Sequence, residues 1–381
     1  MLPPNWGLPD FVFRSAQLLR GAATREVGDA ILLVGTLGAS VQVKARRSPT
    51  PNDVRERLWL DKSVRKAAKQ AAGTIRSLTS GLDCALVNER GRRVVIKGQQ
   101  KAWLLLTVLD HPGVEGYVPS GPSVVILRRD WEFLFEQLKS TYAVMEYLRR
   151  VSGHDPVPLG HEPMRYYELA AADAATPPST LDPRLNRPGL ISQSAPLLPQ
   201  APAGHGDDRN HFIVRSVLED LATAHFPETV EDADVLDILA AIDAVPVAYR
   251  AELGKMWQSW LHEVTQAPSS EITWRFRSHI WPGRPYLLFG AAPRHDALIQ
   301  EAFGGYVSLR NQQLLEAMPE RRNIMTVGVL LTPRRDGRRP WDTTAVATRG
   351  EQNLGVDQRA LLMRLWGELG ESVRYPDLEA V

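Results

Sequence analysis

Apolar and polar positions follow two rhythms along this chain. Ala30-Ile31-Leu32-Leu33-Val34 is a continuous apolar run of strand length, Gly35-Thr36-Leu37-Gly38 reads as a tight turn, and Ala39 to Ala45 reads as the returning strand. Together they predict a β-hairpin over residues 29–45. From Asn52 or Asp53, either of which can cap a helix, the period lengthens. Leu60, Val64, Ala67, Ala68, Ala71 and Ile75 recur at helical spacing and predict a helix through about Leu78. Its other face carries Lys62, Arg65, Lys66, Lys69 and Arg76, a stripe that suits either a solvated surface or contact with phosphates. A second hairpin follows, Ala85 to Asn88 and Arg93 to Lys97, turning at Glu89-Arg90-Gly91-Arg92. Trp103 to Leu109 and Ser123 to Leu127 read as further strands, Asp130 to Arg150 as a helix, and Asp10 to Leu19 as a short amphipathic helix at the start.

This order predicts a mixed α/β domain over residues 1–150. Residues 151–208 are punctuated by ten prolines, from Pro156 to Pro202, with Ser, Ala and Gly between, and read as a Pro-rich linker or a chain lying over a surface, with the aromatic content of Met164 to Ala172 pointing to order in that part. Residues 209–381 read as an accessory α+β domain. Helical patterns cover 212–225, 232–243, 247–266, 295–317 and 356–370, and strand-like runs cover 271–277, 285–289, 324–331 and 343–348. Trp257 and Trp260 lie at helical spacing and read as core. Trp274, Arg275, Arg277, His279 and Trp281 alternate, as a half-buried strand does, or a strand that stacks bases.

The chain has 381 residues, which agrees with two domains, and its 44% hydrophobic and 23% charged content excludes wholesale disorder. Its net charge of +1 hides an asymmetry. Residues 1–150 hold 23 Lys and Arg against 14 Asp and Glu, whereas residues 151–381 hold 22 against 30. A basic unit joined to an acidic one suggests either that the basic unit meets an anion such as nucleic acid or that the two halves attract each other. Cys84 is the only cysteine, which excludes an intramolecular disulfide and a cysteine-based zinc site. Met1-Leu2-Pro3-Pro4-Asn5-Trp6 lacks the basic-then-apolar pattern of a signal peptide, and the most apolar stretch, Ala30 to Val43, is too short to span a bilayer. A soluble, cytoplasmic protein with no membrane contact is expected.

The chemistry concentrates on the first hairpin. Asp29 stands at the mouth of its first strand. Gln42 and Lys44, two apart on the second strand, share one face, and Val41 and Val43 share the other. Three polar side chains are thus expected at one edge of an apolar sheet. Phosphodiester hydrolysis uses such a group, in which a carboxylate holds Mg²⁺ and a neighbouring lysine orients or deprotonates water and offsets phosphate charge. The alternative is a polar hairpin edge with Lys44 in a surface ion pair to Asp29. No glycine-rich P-loop with its lysine and no Gly-X-Ser-X-Gly elbow is present.

Asp29 followed by Gln42-Val43-Lys44, with Glu26 before and a long basic helix after, resembles the PD-(D/E)XK, or restriction-endonuclease-like, nuclease superfamily over roughly residues 10–150. That family places an Asp at the start of one strand and (D/E)-X-K on its hairpin partner, between flanking helices. The resemblance implies a mixed sheet flanked by helices and a metal-dependent nuclease. In it Glu26, Asp29, Gln42 and Lys44 would be catalytic, with Mg²⁺ or Mn²⁺ on Asp29, Glu26 and the carbonyl of Val43. Arg46, Arg47, Lys62, Arg65, Lys66 and Lys69 would contact nucleic acid, DNA before RNA, and defence against foreign DNA is the role that family analogy adds. Gln42 departs from the family pattern and removes one anionic ligand. This motivates the alternative of a catalytically degenerate module that binds nucleic acid or protein. The acidic C-terminal domain is expected to serve a protein partner, homo-oligomerisation or regulation.

Overall fold

The computed structural model describes residues 6–15, 30–46, 48–81, 83–175, 201–267, 272–281, 283–334, 340–352 and 354–367. These form two compact units, one of residues 6–175, 201–203 and 225–247, the other of residues 204–224 and 248–367.

The first unit is built on a seven-stranded mixed sheet. Its strands are β1 (Val12–Ser15), β2 (Ala30–Val34), β3 (Leu37–Ala45), β4 (Cys84–Asn88), β5 (Arg93–Ile96), β6 (Ala102–Asp110) and β7 (Val124–Leu127), in the order β5-β4-β1-β2-β3-β6-β7. The expected hairpin is β2–β3, with pairs running from Ala30↔Val41 to Val34↔Leu37. Gly35 supplies the positive φ, 56°, that its short turn requires. Gly38 lies inside β3, outside the turn where its glycine suggested it. A Cβ there would come within 2.8 Å of the Trp103 ring, so glycine answers close packing across β3–β6. The second hairpin, β4–β5, extends the sheet by pairing with β1.

β3, β6 and β7 run parallel, so their carboxyl ends lie together. The helix α1 (Asp53–Leu78) makes the crossover from β3 towards β6. The Asn52 side chain caps it, accepting from the Arg55 amide at 3.1 Å. Leu60, Val64, Ala67 and Ala71 are buried against the sheet, and the small alanines let the helix lie close. Lys62, Arg65, Lys66 and Lys69 are exposed. Leu109, the cross-strand partner of Lys44, packs with Leu60 and Val64. The face of β3 bearing Ser40, Gln42 and Lys44 is therefore the one that α1 covers.

Three expectations are corrected here. Pro9–Phe11 forms a short 3-10 turn leading into β1, where a helix over residues 10–19 was expected; residues 16–19 lie outside the described residues. Phe11, Val12 and Phe13 are buried where β1 joins β2 and β4, a tertiary demand that outweighs a weak helical pattern. The single helix over 130–150 is two, α2 (Arg128–Leu138) and α3 (Thr141–Val151), broken at Lys139 with φ 54°. Lys139 is held there by its cation over the Trp6 ring at 4.1 Å and by Glu136 at 3.1 Å. Ser140 caps α3 and donates to the Asp243 carbonyl at 2.6 Å. Finally, the proline-rich stretch begins within the first unit. Helix α4 (Glu162–Ala175) packs on α2, with Glu162 and Tyr166 buried.

After α5 (Asp208–Thr223), which belongs to the second unit, α6 (Asp232–Asp243) returns to the first. It packs on β5, β2 and α3, so a continuous accessory domain over 209–381 does not describe the contacts. The second unit holds α5, α7 (Val247–Gln266), β8 (Arg275–Ile280), β9 (Tyr286–Ala291), α8 (Ala297–Ala317), β10 (Met325–Pro333), β11 (Trp341–Arg349) and α9 (Val356–Trp366). Its four-stranded sheet runs β11-β10-β9-β8, with β9 and β10 parallel across α8. Trp274 and Trp281 are buried, and Arg275 and Arg277 pair with Glu263 and Glu252. These alternating residues form a structural strand, not a stacking platform. Among the described residues no helix is long and apolar enough to cross a membrane.

Candidate functional site

The strand β3 delivers Gln42 and Lys44 to one face, as the period of two requires. Lys44 Nζ donates to Gln42 Oε1 at 3.3 Å. Gln42 is 0% exposed, and its Nε2 has no hydrogen-bond partner among the described residues. Ser40, two positions earlier on the same face, is equally buried, with no partner for its Oγ among the described residues. Across the ladder Gln42 faces Thr107, whose hydroxyl is 2.9 Å from that of Ser123. A polar row thus runs under α1 in an otherwise apolar layer, with one orphaned amide donor at its centre. Burying such a donor costs free energy unless water or a ligand completes it.

Asp29, Glu26 and Arg47 lie outside the described residues. Asp29 precedes Ala30, whose partner is Val41. Val43 lies in the β3–β6 ladder opposite Val108. The described part of the proposed metal centre is therefore the Val43 carbonyl, one amide oxygen engaged by an ammonium, one amide donor and one cation. Mg²⁺ takes hard oxygen ligands, commonly carboxylates. This donor set does not fit it without Asp29 and Glu26. Among the described residues no group of three His, Cys, Asp or Glu side chains could hold a metal ion.

Arg46, expected on phosphate, is drawn inward. Its Nη2 is 2.8 Å from Glu56 Oε1, and its guanidinium lies 5.4 Å from the centre of the Trp59 ring. Glu56, 2% exposed in the first turn of α1, also accepts from the Thr50 amide at 2.8 Å and from the Thr50 hydroxyl at 3.0 Å. Its other oxygen meets His111 Nε2 at 2.9 Å. The Gly113 amide donates to His111 Nδ1, so Nε2 carries the proton towards Glu56. The His111 bond, then Thr50 and Arg46, hold the Glu56 carboxyl down to about 2 against the opposing effect of burial. Both ring nitrogens of His111 are engaged, which makes this pair a brace between α1 and the end of β6.

Beside it lies a cavity of about 470 Å³ at the carboxyl ends of β3, β6 and β7. Arg46 and Pro49 come from the segment after β3, Asp110, His111 and Pro112 from the end of β6, and Arg128, Arg129 and Glu132 from the start of α2. Arg128 bridges Glu132 at 3.0 Å and Asp110 at 3.4 Å. Sequence reasoning missed Glu56, His111, Arg128 and Arg129. They are distant in the chain, and no local period links them.

Of the nucleic-acid residues expected on α1, Lys62, Lys66 and Lys69 project from the exposed face, and Arg65 Nε donates to the Asp61 carbonyl one turn back. The chain matches no family model, no curated protein and no solved structure.

Proposed function

We propose that the first unit is a metal-dependent nuclease, hydrolysing phosphodiester bonds of nucleic acid, DNA before RNA. The observation that carries the reading is the contact of Lys44 with Gln42 at the carboxyl end of β3, on a hairpin followed by a helix with an exposed basic face. In this reading Asp29 and Glu26, with the Val43 carbonyl, hold Mg²⁺ or Mn²⁺. The bound ion supplies Lewis acidity towards a phosphate oxygen. Gln42 holds the Lys44 ammonium in place, and Lys44 offsets charge on the phosphate. Lys62, Arg65, Lys66 and Lys69 follow the nucleic-acid backbone, where such contacts are strongly salt-dependent.

A second reading is favoured by Gln42 itself. Its oxygen is engaged by Lys44 and its free donor cannot ligate a cation, which suits a degenerate module that binds nucleic acid without cutting it. One experiment separates the two. The full chain is incubated with single- and double-stranded DNA and RNA in Mg²⁺, Mn²⁺ or EDTA, beside Asp29→Ala and Lys44→Ala. Metal-dependent cleavage lost in both variants supports the nuclease. Cleavage that persists in both overturns the site, and salt-sensitive binding with no cleavage favours the module.

A further inference from the structure

The cavity at the carboxyl ends of the parallel strands is the place where open α/β sheets receive ligands. Its volume is about 470 Å³ and it is widely open to solvent, so an occupant can be the end of a longer chain that continues outside it. Its lining combines three kinds of group. Arg46, Arg128 and Arg129 are cations, and guanidinium groups match phosphate oxygens in paired hydrogen bonds. Asp110 and Glu132 are acceptors, suited to sugar hydroxyls or amino groups. Pro49 and Pro112 supply apolar walls. A bare anion would use only the first set. A nucleotide uses all three.

The charge arrangement narrows the choice further. Arg128 and Arg129 have side chains 58% and 63% exposed, so both can reorient towards a ligand. Arg128 is held by two exposed carboxylates, and exposed pairs of this kind are worth little. An incoming group must outcompete them. A phosphomonoester carries about 1.5 to 2 negative charges near neutral pH, whereas an internal phosphodiester carries one. The monoester is the better competitor. Arg46 stays anchored on Glu56, presenting a fixed cation at the wall.

We propose that this cavity binds the terminal nucleotide of a nucleic-acid strand through its phosphomonoester, with Arg128 and Arg129 as the principal phosphate contacts. The inference rests on the nuclease reading only in taking a nucleic-acid strand as the owner of that nucleotide. It directs the enzyme to strand ends.

The test is fluorescence anisotropy of short labelled oligonucleotides on the full chain in EDTA, so that no cleavage is needed. The strands carry a 5′-phosphate, a 3′-phosphate or only hydroxyl ends, and adenosine 5′-monophosphate is the free competitor. One phosphorylated strand is expected to bind about tenfold to a hundredfold more tightly than the hydroxyl strand. Arg128→Ala with Arg129→Ala should abolish that preference while leaving thermal unfolding unchanged. Lys44→Ala should keep it. Equal binding of all strands overturns the proposal, as does a preference that survives the double arginine variant. Free nucleotide binding as tightly as the phosphorylated strand overturns the assignment to strand ends. A preference that stands in a protein that never cleaves refutes the nuclease and leaves this site in place.

Discussion

Lys44 donates to the side-chain oxygen of Gln42, two residues back on the same strand, and the buried Gln42 amide nitrogen meets no acceptor among the described residues. An amide at this position can hold a lysine, but it offers a cation only the one oxygen that already accepts from that lysine, and no negative charge.

Gln42→Glu therefore exchanges the orphaned donor for a second oxygen and adds a negative charge. In the proposed nuclease it should lower the Mg²⁺ concentration that gives half-maximal cleavage, about tenfold, since one carboxylate joins the ligand set. Gln42→Leu, which removes the hold on Lys44, should lower the maximal rate. A Mg²⁺ titration of both variants checks this. An unchanged metal requirement in Gln42→Glu would remove position 42 from the metal centre.

Glu56 makes stability depend on pH in a defined window. Its carboxyl is held down to about 2 from 4.5, so the folded state binds a proton less readily than the unfolded chain. The stabilisation is present above 4.5 and is lost as pH falls towards 2. Glu56→Gln should be less stable than the wild type near neutral pH and should lose less on acidification through that window. Urea midpoints across the range measure the difference. Parallel acid limbs for the two proteins would contradict it.

His279 does the corresponding thing in the second unit. It is buried, hydrogen-bonded to Tyr249, and stacked on Trp281 at 5.6 Å. Burial holds its imidazole down to about 3 from 6.5, because the interior disfavours the cation. The unfolded chain takes up the proton first as pH falls below 6.5, so stability is lost from there towards 3. His279→Gln keeps a hydrogen-bonding side chain and should flatten that limb. Unfolding followed by hydrogen exchange in β8 localises the effect to this unit.

Gly38→Ala should destabilise the first unit by about 1–3 kcal/mol, the range for overpacking a filled site. The added Cβ would meet the Trp103 ring at 2.8 Å, and that ring is anchored by its Nε1 bond to the Gly98 carbonyl at 2.7 Å. Combining it with Trp103→Leu should recover part of the loss. Denaturant unfolding of the single and double variants gives the coupling, and strictly additive losses would count against the contact.

Much of the first unit was legible in the chain itself. The β2–β3 hairpin, α1 with its Asn52 cap and basic outer face, and the shared face of Gln42 and Lys44 all follow from periods of two and 3.6 and from one turn glycine. These are local properties, decided within a few residues. Most elements of the second unit were readable for the same reason. In the proline-rich 151–208 the aromatic content of Met164 to Ala172 pointed to order, but the helix α4 itself was not readable, because its apolar anchor Tyr166 packs on Phe133 and Tyr147 of α2 and α3.

The sequence alone determined which residues could stand beside each other along one strand or one helix face, since backbone geometry imposes that without reference to the rest of the chain. Tertiary structure alone decided the rest. It turned residues 12–15 into a central strand, held Lys139 in a left-handed conformation on the Trp6 ring, joined Glu56 to His111 across 55 positions, and gathered Arg46, Asp110 and Arg128 around one cavity. Each depends on packing and charge between segments distant in the chain, and no local pattern encodes a contact whose partner is set by the path of the whole fold.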